Sequence, residues 1–167
     1  TDPPELYVSV QVEHAWGRLG GGNAYSGIGQ DVEDFPFLDA VGLSSYPYLG
    51  GFGDPADVPG DYYARVADEA GVAPLVVEGG WASESTTEFQ TSPTEQADWI
   101  RRQSRLLEEA GAVAVFQLTF TDLDLSALPS PPGILVLFAT LGLVTADYDA
   151  KPALDAWDDH FARTLRP

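Results

Sequence analysis

Gly71 and Gly111 each stand between the end of an amphipathic helical stripe and the start of an apolar strand, leaving one or two residues for the turn. Strands are expected at Leu6 to Val12, Asp39 to Ser45, Ala73 to Glu78 and Ala112 to Leu118. In the first, Tyr7, Ser9 and Gln11 alternate with Val8, Val10 and Val12, which gives one apolar face. Helices are expected from about Asp61 to Ala70, with Tyr62, Val66 and Ala70 in one stripe, and from the Ser92-Pro93-Thr94-Glu95 capping box to Ala110. A last helix starts near Lys151-Pro152 and carries Leu154, Trp157 and Phe161.

The opposite connections, strand to helix, are long. They run about Glu13 to Asp34, Tyr46 to Gly60, Gly79 to Thr91 and Thr119 to Ala150, and they hold most of the glycines. Short links at one end and elaborated ones at the other describe α/β architecture with parallel strands, and above all a (β/α) TIM-type barrel, whose active site lies at the C-terminal ends of its strands. A doubly wound open sheet alternates in the same way. Gly20-Gly21-Gly22 with Gly27 and Gly29 lacks the spacing, adjoining helix and basic residue of a phosphate-binding loop and reads as a surface loop. A full barrel has eight strands in roughly 250 residues. Four strands therefore imply a half-barrel, residues 1–167 forming a single segment that an absent N-terminal half or self-association would complete.

Composition narrows the partners. Eight basic against 26 acidic residues give a formal charge of −18, which opposes binding to nucleic acid or an anionic membrane. The longest apolar run, Gly133 to Val144, is shorter than the roughly 20 residues of a membrane span. With no cysteine, and with His14 and His160 far apart, neither a disulfide framework nor a metal centre is expected, and no cofactor is implied. The absence of methionine places the start of the gene product upstream of Thr1; an export signal would lie there too, so the compartment is open, secretion included.

Pro74-Leu75-Val76-Val77-Glu78-Gly79-Gly80-Trp81 is the stretch most suggestive of chemistry. A carboxylate at the mouth of an apolar strand is costly to bury without a task, which makes Glu78 the first catalytic candidate beside the plainer reading of a solvated strand end. Simple alternation places Glu78 on the face of Val76, with Leu75 and Val77 opposite.

Together these motifs resemble the C-terminal half, strands five to eight, of a clan A retaining glycoside hydrolase, a group that includes cellulases, mannanases and endo-β-1,4-galactanases. Val76-Val77-Glu78-Gly79-Gly80-Trp81 is similar to the seventh strand, which ends on the nucleophile, and Gly42-Leu43-Ser44-Ser45-Tyr46-Pro47-Tyr48 to the sixth, whose aromatic hydroxyl bonds that nucleophile. Some members carry a histidine where Ser44 stands. The tryptophan often found at the end of strand eight is replaced by the Phe116 to Phe120 run. The acid/base glutamate of strand four has no counterpart in the chain.

The resemblance implies a retaining β-glycoside hydrolase acting on a poly- or oligosaccharide, with Glu78 as nucleophile oriented by Tyr46. Such chemistry needs two carboxyl groups about 5 to 5.5 Å apart. Glu13, on the polar strand face with Gln11, is the in-chain substitute for the acid/base or else a cleft-lining or solvated strand-end residue. Ser44, His14, Trp16, Trp81 and Tyr48, with Phe52, are candidates for binding sugar, aromatic faces being suited to its C–H surface; Trp16 packing into the core is the alternative. Asp122 and Asp124 are either hydroxyl-binding or loop-capping. Two readings compete with the hydrolase: a half-barrel that self-associates and binds carbohydrate without catalysis, and an unrelated α/β interaction domain in which Glu78 is incidental. Partners are thus a carbohydrate and either an N-terminal half or a second copy.

Overall fold

The computed structural model describes residues 5–22 and 24–162. Four parallel strands, β1 (Tyr7–Gln11), β2 (Ala40–Ser45), β3 (Pro74–Gly79) and β4 (Ala114–Val115), pair in sequence order. Between them run α1 (Val12–Ala15), α2 (Gly29–Asp34), α3 (Ala64–Ala70) and α4 (Pro93–Glu109), and after β4 come α5 (Gly133–Phe138) and α6 (Pro152–Phe161). The fold is α/β with an all-parallel sheet. None of the described helices is long and apolar enough to cross a membrane.

Local chemistry explains the helices. Ser92 Oγ accepts from the Glu95 N–H at 3.2 Å, the N-cap bond of the expected box, and donates to the Glu95 carboxylate at 2.8 Å, with Pro93 preset for the first turn. Such a cap stabilises a helix by about 1 kcal/mol. The 17 residues of α4 then bury Trp99, Ile100, Leu106 and Leu107. Its Ala97 and Ile100 pack with Leu143, Ala153 and Ala156, which seats α6 against it. Gln96 anchors the crossing, its Nε2 donating to the carbonyls of Leu141 and Gly142 at 3.1 Å each.

Several elements depart from expectation. The strand over Leu6 to Val12 stops at Gln11 because α1 follows it directly. The connection from Glu13 to Asp34 therefore holds two short helices, and the run from Gly133 holds α5. The last strand shrinks to Ala114–Val115, although Val113, Phe116 and Leu118 still donate to the carbonyls of Pro74, Val76 and Gly79. Among the described residues it has only β3 to hold it, so its ladder is one-sided.

Among the described residues β1 pairs only with β2 and β4 only with β3. Apolar side chains stand in solvent near both edges: Leu6 and Tyr7 beside one, Val113 and Phe116 beside the other.

Candidate active site

Glu78 owes its position to a slip in the β2–β3 ladder. Leu43 opposes Val76, but the next pair is Ser44 with Glu78, so Val77 is an extra residue. Successive residues of β2 face opposite sides, hence the bulge moves Glu78 off the face of Val76 and onto the face of Ser44. This corrects the alternation expected from the sequence. Val76 is fully buried with Leu43 on the helix side, while Glu78 emerges exposed at the C-terminal end of its strand.

Ser44 Oγ donates to Glu78 Oε1 at 2.7 Å. Ser44 thus makes a direct short bond to the carboxylate. Tyr46, two residues on, is 3% exposed, and its hydroxyl is held above the usual tyrosine range by burial first, then by the charges of Glu78 and Glu13 and by hydrogen bonding toward Glu78. It therefore remains a neutral donor beside the carboxylate. Phe138 packs edge-on against the Tyr46 ring, centroids 4.9 Å apart.

The glycines after Glu78 answer a close approach. A Cβ on Gly79 would stand 2.7 Å from the Ser45 carbonyl oxygen, and one on Gly80 would stand 3.0 Å from that of Leu118. Both neighbours are backbone, so only glycine lets the chain turn between β2 and the segment after β4.

The remaining sequence-derived candidates separate from this centre. Glu13 is neither a solvated strand end nor a group that can reach substrate: α1 rotates it inward, and it is fully buried. Its Oε1 accepts from the Tyr46 N–H at 2.8 Å and the Tyr62 hydroxyl at 2.6 Å, and burial pushes its pKa up to about 7. The acid/base role is excluded for it on access alone. His14 stays exposed on α1.

Trp81, expected in the cleft, is 1% exposed. Its Nε1 donates to Thr91 Oγ1 at 2.8 Å, and its ring lies 5.6 Å from that of Trp99 and 6.0 Å from that of Tyr48. The large apolar ring follows two glycines that bend the chain back over α4, so the indole enters the core. Trp16 does likewise, stacked at 5.7 Å on Tyr62 and donating to that residue's carbonyl at 3.0 Å. Tyr48 is buried against Phe89 and donates to the Leu137 carbonyl at 2.8 Å, and Phe52 is buried under the Arg18 guanidinium. None of these four rings offers a free face to a sugar.

Asp122 caps a loop instead of facing a ligand. It accepts from the Gly142 N–H at 2.8 Å and pairs with Lys151 Nζ at 2.6 Å; the same ammonium reaches Ser83 Oγ at 2.9 Å. Burial lowers the pKa of Lys151 while Asp122 opposes that shift. Sequence reasoning missed this clasp, which ties the segments after β3 and β4 to the start of α6. The signal was available: Lys151 is the single lysine of an acidic chain.

Among the described residues no group of three or more His, Cys, Asp or Glu is placed to hold a metal ion. A groove of about 350 Å³ lies on the outside of α4, lined by Asp54, Asp98, Arg101, Arg102 and Arg105, and includes none of the residues around Glu78.

No family model and no curated protein sequence matches the chain. Solved structures do. The β-D-glucuronidase of Dictyoglomus thermophilum is 14% identical with a TM-score of 0.61, over 77% of this chain and 23% of that one. A Ruminococcus gnavus β-glucuronidase, 14% identical with a TM-score of 0.57, covers 96% of this chain and 26% of its own. The GH2 β-galacturonidase of Eisenbergiella tayi is 17% identical with a TM-score of 0.54, over 78% and 26%. At such identity the likeness is one of fold: this chain shares its fold with a segment of these glycoside hydrolases and spans about a quarter of their length.

Proposed function

We propose that the chain supplies strands five to eight of a retaining β-glycoside hydrolase barrel and that Glu78 is its nucleophile. The observation that carries this reading is the bulge-presented Glu78 carboxylate, exposed at the C-terminal end of a parallel strand and bonded by Ser44. An exposed carboxylate that accepts from the Ser44 hydroxyl and lies beside the neutral Tyr46 phenol is oriented as attack on an anomeric carbon requires.

The acid/base comes from outside the chain, since Glu13 is sealed in the core. It belongs to the missing half of the barrel, an N-terminal half or a second copy, docked along the free edges of β1 and β4, where Leu6, Tyr7, Val113 and Phe116 are exposed. In the reaction a Glu78 oxygen bonds the anomeric carbon as the glycosidic C–O bond breaks, and the leaving oxygen takes a proton from the acid/base. Water, deprotonated by the same group, then releases the sugar.

The fold neighbours act on glucuronides and galacturonides. Uronides of that class and neutral β-glycosides are therefore both carried into the test of this site, where Ser44 bonds Glu78 and Tyr46 lies beside it. Turnover of aryl β-glycosides by the assembled protein tests the reading. Glu78→Gln is expected to lower kcat by roughly 10³ or more, about 4 kcal/mol of barrier, with the fold intact. Activity above a tenth of wild type in that variant contradicts it, and sugar binding without turnover in the wild type favours the non-catalytic half-barrel.

A further inference from the structure

We infer that Glu13 is the positioning residue of the Glu78 site, fixing from beneath the turn that carries Ser44 and Tyr46. This rests on Glu78 being the nucleophile. Glu13 belongs to α1 and never meets the cleft, yet its Oε1 takes the N–H of Tyr46 at 2.8 Å, at the point where β2 ends. The Tyr62 hydroxyl closes the same oxygen from the segment entering α3 at 2.6 Å. A single carboxylate thereby joins the ends of three chain segments behind the two side chains that flank Glu78.

Its surroundings fit that role better than generic packing. Oε2 is buried with no partner in hydrogen-bonding geometry, a cost an apolar side chain would avoid, while the Tyr62 hydroxyl, the Glu13 and Tyr46 backbone N–H groups and the Gln11 side chain favour the charged form. Gly50 closes over it so tightly that a Cβ there would stand 2.9 Å from Glu13 Cγ. Glycine at position 50 is thus what leaves room for the Glu13 side chain.

The titratable groups facing Glu13 are Tyr46 and Tyr48 from the turn after β2 and Tyr62 and Tyr63 from the segment before α3, all phenols held in the neutral form by burial. Arg18, which follows α1, directs its guanidinium over Phe52. Glu13 is therefore the member of this group that changes charge near neutrality. On ionising, its bonds to Tyr46 and Tyr62 become charge-assisted and stronger, and the turn tightens. Chemistry at Glu78 should then rise with pH through the Glu13 transition.

The test reads the nucleophilic step alone. A 2,4-dinitrophenyl 2-deoxy-2-fluoro-β-glycoside releases dinitrophenolate without a proton as the Glu78 oxygen bonds the anomeric carbon, so trapping does not depend on the acid/base. The glucoside, galactoside and glucuronide are compared, and the one that labels wild-type assembled protein fastest is carried forward. Glu13→Leu is expected to lower the maximal trapping rate at least tenfold with a less than twofold change in the half-saturating concentration. Glu13→Gln, which keeps the acceptor and the shape, is expected to trap within threefold of wild type at pH 6 and to lack the rise near pH 7. Tyr62→Phe removes a bond that favours the ionised form, so the rise should move to higher pH. If Glu13→Leu fails to fold, the latter two variants decide. A pH profile unchanged in both, or a Glu13→Leu rate equal to wild type, overturns the inference. Wild-type protein that is not labelled at Glu78 overturns instead the reading of the site, and the inference falls with it.

Discussion

Ser44 and Glu78 face each other across a register slip, with Ser44 Oγ donating to Glu78 Oε1 at 2.7 Å. Without the slip the carboxylate would follow Val76 into the helix-side core, where an unpaired charge is costly. The bulge is therefore what converts a strand-end acid into an accessible one. Ser44→Ala is expected to lower kcat of the assembled protein at least roughly tenfold, the low end for losing one hydrogen bond to a charged group, with little change in melting temperature. Wild-type turnover in Ser44→Ala would show that the bond is incidental.

Burial raises the Glu13 pKa from 4.5 to about 7, so between those values the folded protein holds a proton that the unfolded chain releases. Stability from this group is complete below the unfolded value and is lost as pH rises through the folded one. The loss between pH 5 and pH 8 is about 2 to 3 kcal/mol. Denaturant melts at both pH values, compared with Glu13→Gln, measure it: the variant should lack this component. A wild-type and variant difference that does not vary with pH would contradict the raised value.

Trp81 is a core residue, and Trp81→Ala is expected to destabilise the protein by about 3 to 5 kcal/mol, as large aromatic truncations in cores do. Thr91 would also lose its indole donor. Weakened sugar binding with unchanged stability, measured by titration and thermal melt, would return the indole to the cleft.

The Lys151–Asp122 pair, with side chains 7% and 12% exposed, is another structural element. Asp122→Asn leaves the ammonium without its counter-charge and is expected to cost about 3 kcal/mol, whereas Asp122→Leu with Lys151→Met removes both charges and should recover part of that loss. Equal melting temperatures for Asp122→Asn and the double variant would refute the coupling.

Much of the frame was legible in the sequence because it is written locally. The Ser92 to Glu95 box, Gly71 and Gly111 mark helix ends by backbone chemistry, and short helix-to-strand turns demand parallel strands. Tyr46 was expected to bond Glu78; it lies near that carboxylate, and the 2.7 Å bond comes instead from Ser44, which had been read as a sugar-binding candidate. What was not legible depends on tertiary register. The extra residue at Val77 is visible only against β2, and the helical turn of α1 that buries Glu13 carries no capping side chain to announce it. Trp81 and Tyr48 were read as a sugar platform because aromatic residues in glycine-rich loops look exposed; here those loops fold back onto α4 and α5, and the rings become their core.

The central claim is that Glu78 forms a covalent bond to the sugar. Peptide mapping of the assembled protein after exposure to the 2-deoxy-2-fluoro glycoside locates that bond directly. The account requires the glycosyl mass on the peptide containing Glu78, on the Glu78 side chain, and its absence from Glu78→Gln. A label on any other carboxylate, or undiminished labelling of the Glu78→Gln protein, would contradict it.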